Sequence, residues 1–271
     1  MASFEKLNPT DLIKKSIKSP QITPENRSLT MNGMGYVFEI INPLSLDFLE
    51  NEAKPGKSVC EIGTGFGPVP INALERGVSR YVACDLLEEH LALLAERFYK
   101  KFGDKTDELV QSLELIRAKA PTELPPFKKE FDAVLMDKVL HFMTPDEIEI
   151  QITWLKKALK KGGKVYILTI TPHHGHFREK FLPAYLERRA EGFVYPGYIA
   201  NMKKELGETP KHHPNEMTVF TLDDFSSLLE SRGFKILKSF VLARGNENDP
   251  DWKIVDEKDA ELIGVIAELN S

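Results

Sequence analysis

The 271-residue sequence has only two cysteines, Cys60 and Cys84, and no apolar run near the roughly 20 residues that a membrane span requires. Both cysteines sit inside apolar stretches, the usual place for reduced, buried thiols, which argues against a disulfide scaffold. The N-terminus lacks the apolar core of a secretory signal, so a cytoplasmic protein is expected. Excess positive charge is missing too: 36 Lys and Arg against 41 Asp and Glu leave a net charge of -5, which argues against general binding to nucleic-acid backbones. Internal repeats and low-complexity tracts are absent. With 28% charged and 42% hydrophobic residues, the composition is that of a soluble globular chain. Its length suits one large core with an appended lid.

Residues 1–26 look weakly structured, with a helical candidate at 11–18 that Pro20 stops. The stretch 28–41 is apolar but punctuated by Gly33 and Gly35. Asn42 followed by Pro43 reads as a capped helix start, carried by Leu44, Phe48 and Leu49 to about residue 53. Strand-like runs follow at 58–62, 81–84, 113–118, 131–136 and 164–170, with helical patterns between them at 69–77, 87–102 and 145–159. Thr144-Pro145-Asp146-Glu147 combines a capping box with proline at the first helical position. Strands alternating with crossover helices predict a parallel sheet covered on both faces, with ligands at the carboxyl ends of its strands. The alternation breaks from Pro172 to about Thr218, a stretch with many aromatics and five of the seven histidines; an insertion of this size suits a lid or binding surface. A helix after Thr221 and strands at 234–243 and 262–269 complete the chain, with a charged loop expected around 249–258.

The motif with chemistry in it is Glu61-Ile62-Gly63-Thr64-Gly65-Phe66-Gly67, an apolar strand that ends on an acid and enters a turn with glycine at every second position. Glycine takes positive φ and lets a ligand lie directly on the backbone. Asp85 ends the second strand, 22 positions beyond Gly63, where a carboxylate can accept the hydroxyls of a ribose laid across the turn. A pyrophosphate-binding turn would read G-x-G-x-x-G. Here the sixth position is Pro68, and the third glycine comes one residue early at Gly67, which disfavours a nicotinamide dehydrogenase.

These residues together resemble the class I S-adenosylmethionine-dependent methyltransferases, whose first motif is an acid followed by x-G-x-G-x-G. The likeness extends over roughly residues 42–271, through Asp85, the fourth strand ending on Asp137, Leu159-Lys160-Lys161-Gly162-Gly163 before strand five, and Gly233-Phe234 before the last two strands. It implies a doubly wound, mostly parallel, seven-stranded Rossmann-like α/β sheet whose last strands form an antiparallel pair. A cap segment (1–54) would precede the S-adenosylmethionine-binding core (55–271), which carries a helical lid at about 172–218. It also implies methyl transfer from S-adenosyl-L-methionine to a nucleophilic atom, most often of a small molecule. The cofactor is a cation without phosphates, so an acid beside the glycines suits it. The alternative is a protein of this fold that acts on or binds a partner protein.

By the same resemblance the cofactor-binding candidates are Glu61, Gly63, Thr64, Gly65, Gly67, Asp85, Leu86 for the adenine face, Ala118, Lys119 and Ala120 for the adenine edge, and Asp137. Lys119 departs from the family pattern, since many members place an acid in that segment. His141 follows strand four, where relatives place residues facing the methyl group, and histidine's ordinary pKa suits a base; the competing reading is that it caps or packs against the Thr144 helix. Tyr36, Glu39, His173 and His174 are the substrate-facing candidates, with Tyr36 alternatively part of an apolar cap underside. The His173-His174-Gly175-His176 and His212-His213 groups lack the spacing of a metal motif. Magnesium-dependent O-methyltransferases need an acid and an amide after strand five, where Thr171 and Pro172 stand, so no metal is expected.

Overall fold

The computed structural model describes residues 3–209, 211–244 and 251–270, apart from the side chain of His176. Residues 249 and 250 of the expected charged loop, residue 210 of the expected lid, the ring of His176, and the chain ends at 1–2 and 271 lie outside the described residues.

The first elements are β1 (Glu5–Leu7), α1 (Pro9–Leu12) and a hairpin of β2 (Arg27–Leu29) and β3 (Tyr36–Phe38). The core then runs α2 (Pro43–Asn51), β4 (Ser58–Ile62), α3 (Val69–Glu75), β5 (Arg80–Asp85), α4 (Glu88–Phe102), α5 (Thr106–Leu109), β6 (Leu113–Arg117), β7 (Phe131–Asp137), α6 (Pro145–Ala158) and β8 (Leu159–Ile170). The insertion contributes α7 (Gly175–Arg178), α8 (Leu182–Ala190), β9 (Tyr198–Ile199), α9 (Met202–Leu206) and β10 (Met217–Thr218). The chain closes with α10 (Leu222–Ser231), β11 (Phe234–Arg244), β12 (Trp252–Ile254) and β13 (Leu262–Leu269).

The main sheet has the order β1-β6-β5-β4-β7-β8-β13-β11-β12. Strands β6, β5, β4, β7 and β8 are mutually parallel, while β13 runs antiparallel to both β8 and β11. The parallel strands are buried on both faces, so successive residues divide between two cores. Val59, Tyr81, Ala83, Leu135 and Leu168 point to the side covered by α2, α3 and α4. Cys60, Val82, Cys84, Val134 and Ile167 point to the side covered by α6 and α10. This is the doubly wound α/β arrangement that the sequence predicts.

Local signals set the helix starts. Asn42 Oδ1 accepts from the N–H groups of Leu44 and Ser45, and Thr144 and Glu147 form the reciprocal capping box. The sheet is wider than the seven strands expected. The N-terminal segment, read as weakly structured, supplies β1, which adds antiparallel to the β6 edge with Glu5 opposite Arg117 and an ion pair between them. Trp252, Lys253 and Ile254, expected in a loop, pair with β11 as β12. Three-residue edge strands carry too little pattern to be read from sequence. Strand β8 starts at Leu159, before the two glycines expected to precede it, with a register shift against β7 between Phe131 and Ala133. The insertion is packed into the first core through Phe177, Phe181, Tyr185, Ile199, Met202 and Met217. Gly197 allows its close approach: a Cβ there would lie 1.8 Å from the Val219 carbonyl oxygen.

Candidate active site

The carboxyl ends of the parallel strands open into one cavity of about 880 Å³. Its lining follows the sheet order: Ala118, Lys119 and Ala120 after β6, Asp85 and Leu86 at the end of β5, Gly63 and Gly65 after β4, and Asp137, Lys138, Val139, His141 and Phe142 at and after the end of β7. Ile170, Leu262 and Arg244 continue it past β8, β13 and β11. The β2–β3 hairpin contributes Tyr36, Val37 and Phe38, and the loop before β10 contributes Lys211, His212 and His213. These two segments meet: the Gly35 N–H donates to the His212 carbonyl at 3.0 Å, and His212 Nδ1 donates to the Gly33 carbonyl at 2.9 Å.

The glycine turn is built from short-range constraints. Gly63 (φ 72°) and Gly65 (φ 57°) lie in the left-handed region, and the N–H groups of Gly63 and Thr64 both donate to the Cys84 carbonyl. A Cβ on Gly63 would come within 2.2 Å of Val139 Cγ2, and one on Gly65 within 2.9 Å of Val37 Cγ2. Gly67 differs from the expectation for all three glycines: its φ is not positive, and a Cβ there would meet Val37 at an ordinary 3.5 Å.

Asp85 is buried, and much of its accepting capacity is already used. Oδ2 accepts from the Gly65 N–H at 2.8 Å, while Oδ1 accepts from the Leu87 N–H and from His90 Nδ1, both at 2.9 Å. A carboxylate has about four acceptor positions, so roughly one is left for a ligand hydroxyl rather than the two expected. His90, which sequence reasoning missed, accepts from the Met31 N–H through Nε2, and this fixes its proton on Nδ1. Leu86 is half exposed in the cavity. The Lys119 N–H is taken by Glu123 Oε2, leaving less backbone for an adenine edge than the sequence suggests.

Glu61 and Thr64 lie in a separate recess of about 60 Å³ behind the turn. Glu61 Oε2 accepts from Thr64 Oγ1 and Tyr81 Oη, each at 2.7 Å. Burial, only partly offset by those bonds, raises its pKa from 4.5 to about 7. Asp137 faces the protein on most sides. Its Oδ2 accepts from Asn42 Nδ2 (2.7 Å) and Ser45 Oγ (3.0 Å), and its Oδ1 pairs with Lys138 Nζ, so it ties the α2 cap to β7.

His141 lines the cavity and is 4% exposed; its Nδ1 has no hydrogen-bond partner, and its ring lies against Phe142 with centroids 4.2 Å apart. Burial, followed by the charges of His213, Lys138 and His174, lowers its pKa to about 3. The near-neutral pKa on which its role as a base was argued therefore does not hold. Nor does it cap the following helix, since Thr144 and Glu147 do that.

Among the substrate-facing candidates, Tyr36 and His174 line the cavity, whereas Glu39 and His173 do not. Glu39 turns outward into a two-bond pair with Arg97, at 2.7 and 3.0 Å. His173 sits 3.9 Å from Glu257. Arg27, Arg244, Phe38 and Trp252 line the site without having been anticipated. Among the described residues, no three His, Cys, Asp or Glu side chains converge as a metal site, and no helix is long and apolar enough to cross a membrane.

A family model described as "Methyltransferase domain" matches residues 36–239. No curated protein matches the chain. Among solved structures, it is similar to a SAM-dependent methyltransferase from Methanosarcina mazei, at 18% identity and a TM-score of 0.57, covering 86% of this chain and 99% of that one. An S-adenosylmethionine-dependent methyltransferase from Mesorhizobium loti aligns at 18% identity and 0.53, covering 83% and 95%. The Burkholderia thailandensis 1,6-didemethyltoxoflavin-N1-methyltransferase, with its 1,6-didemethyltoxoflavin and S-adenosylhomocysteine bound, aligns at 16% identity and 0.51, covering 84% and 77%. At these identities the likenesses speak to the fold.

Proposed function

The chain belongs to the methyltransferase domain family and is an S-adenosylmethionine-dependent enzyme, and from that premise we propose that it methylates a nucleophilic atom of a small molecule held in the β7 to β11 half of the cavity. The observation that carries this reading is the continuity of the cavity, which runs from Leu86 and Ala118 past the glycine turn to Trp252 and Arg244 without a dividing wall. Its volume of about 880 Å³ lies in the upper part of the roughly 300–1,000 Å³ range of small-ligand sites, which leaves space for an acceptor beside a nucleoside. The Burkholderia enzyme, whose structure holds both 1,6-didemethyltoxoflavin and S-adenosylhomocysteine, supports the same class of acceptor here.

The turn residues fit the cofactor. Gly63 and Gly65 present bare backbone to the cavity under Val139 and Val37, which pack too closely to admit a Cβ, and Asp85 retains an acceptor position for a ribose hydroxyl. Bound there, S-adenosylmethionine supplies a methyl group already activated on sulfur, so the protein's work is alignment and exclusion of water. Neutral His141 orients the acceptor by hydrogen bonding rather than by taking its proton, since a conjugate acid near 3 makes a weak base at neutral pH. The acceptor atom therefore reacts through a lone pair it already has. The Tyr36 to Phe38 strand and the His212 to His213 loop wall one side of the site and narrow its access to water.

Two measurements test this. Titration calorimetry should detect S-adenosylhomocysteine binding, and Asp85→Ala should weaken it tenfold or more; absence of heat with either form of the cofactor defeats the reading. A lysate fed with radioactive methyl donor should then carry label in its small-molecule fraction. Label confined to protein would replace the proposed acceptor class.

A further inference from the structure

At the β11 end of the cavity two guanidinium groups lie close enough to repel each other and have no hydrogen-bond acceptor among the described residues. Arg27, at the start of β2, and Arg244, at the end of β11, both line the cavity. Neither side chain donates a hydrogen bond to any described residue, and Arg27 Nε and Arg244 Nη1 are closed off from solvent with no acceptor. Glu25 forms a loose ion pair with Arg27, 3.7 Å from Nε and beyond hydrogen-bond reach. Glu261, on the cavity wall beside Arg244, hydrogen-bonds only its backbone N–H, at 3.4 Å, while its charge partly offsets that of the guanidinium. Each guanidinium is held flat by an aromatic face instead: Arg27 over Tyr36 at 4.2 Å and Arg244 over Phe38 at 5.4 Å. The third cation nearby, Lys138, is already paired with Asp137.

An arginine fork carries five N–H donors in a plane that matches a carboxylate or phosphate. Burying it without an acceptor is unfavourable, and a second guanidinium alongside makes it more so. Burial and the charge of Arg27 together lower the Arg244 pKa from its usual value. An anion between the two would relieve both penalties.

We infer that the acceptor carries an acidic group, a carboxylate or a phosphate, that docks between Arg27 and Arg244. The inference rests on the small-molecule reading above. The cofactor's own carboxylate is the other possible source of the anion: β11 lies four strand positions from β4, on the side away from β5 and β6, but the hairpin that carries Arg27 also reaches the glycine turn through Val37, so the test below separates the two sources. A ligand with its ribose at Asp85 and its adenine at the β6 end lies over the opposite half of the sheet.

The test uses the full chain saturated with S-adenosylhomocysteine, and benzoate, phenyl phosphate, benzyl alcohol and phenol as probes, with binding read by ligand-observed NMR. At least one acidic probe should bind ten times or more tighter than its neutral counterpart, and Arg244→Gln and Arg27→Gln should each remove that preference while S-adenosylhomocysteine affinity and melting temperature stay within error. Equal binding of acidic and neutral probes, or a preference that survives both substitutions, overturns the inference. If Arg244→Gln instead weakens S-adenosylhomocysteine but not 5′-methylthioadenosine, which lacks the amino-acid tail, the arginines serve the cofactor and the inference fails. If the parent protein does not bind S-adenosylhomocysteine at all, the functional reading fails first and this inference goes with it.

Discussion

Glu61 allows a sharp test of how the glycine turn is supported. It is 3% exposed, its Oε2 accepts from Thr64 and Tyr81, and its carboxyl titrates near 7 in the folded protein against 4.5 for the free side chain. A raised carboxyl pKa means the native state holds the proton more tightly than the unfolded chain. The group's contribution is therefore most favourable below pH 4.5 and is lost as pH rises through 7. Moving the carboxyl from 4.5 to about 7, with 1.36 kcal/mol per tenfold change in proton affinity, sets that loss at roughly 3 kcal/mol across the window. Glu61→Gln keeps a carbonyl oxygen for the two hydroxyl donors and has no proton to lose. Urea unfolding of both proteins, without cofactor, at pH 5 and pH 8 isolates the effect, because every other titrating group is common to both. The stability of the Gln variant relative to the parent should rise by about 2–3 kcal/mol between the two pH values. A relative change under about 0.5 kcal/mol would mean that Glu61 titrates as an ordinary exposed acid, and the account of the turn would fail.

Two further outcomes follow from the same geometry. Gly63→Ala places a Cβ 2.2 Å from Val139 Cγ2 at a φ of 72°, so it should destabilise the chain by more than the roughly 1–2 kcal/mol of left-handed strain and abolish cofactor binding. Adding Val139→Ala should recover part of the loss, and an unchanged melting temperature in Gly63→Ala refutes the packing argument. The His141 ring should show no titration by NMR between pH 5 and 8, with its resonance identified by its absence in His141→Asn; a midpoint near 6.5 would restore it as a candidate base. The sign for stability follows: the unfolded chain takes up this proton first, so the contribution present above pH 6.5 is lost as pH falls toward 3.

What could be read from the sequence was what neighbouring residues decide among themselves. The strand alternation, the Asn42 and Thr144 caps, and the glycines at 63 and 65 all express local constraints, and each appears where the pattern placed it. Spacing alone misled at Gly67, which completes the motif without needing positive φ. The acceptor half of the cavity was illegible for a different reason. Arg27 and Arg244 stand at opposite ends of the chain and meet only because β11 ends beside the β2–β3 hairpin. Tyr36 and Glu39 are three residues apart, at the start of β3 and just past its end, an odd spacing that sends one ring into the site and the other side chain to Arg97. For His141 the residue and its position could be read, but its charge could not, because its pKa depends on burial and on His174 and His213.

Asp85 shows why a motif residue need not act only on the ligand. Its carboxylate holds the Gly65 N–H that shapes the turn, and through His90 it reaches the Met31 N–H in the hairpin that walls one side of the cavity. Floor and wall are thus joined through one side chain before any ligand arrives. The arrangement makes a rigid floor compatible with an incomplete set of ligand contacts. Three bonds fix the acid, and the position left over is aimed by them, which is how a buried group is held to the tolerance that orientation demands. A loss of binding in Asp85→Ala therefore combines a missing ligand contact with a relaxed turn. His90→Phe separates the two: it removes the hairpin link and leaves the carboxylate, so any cofactor affinity it costs reports the positioning alone.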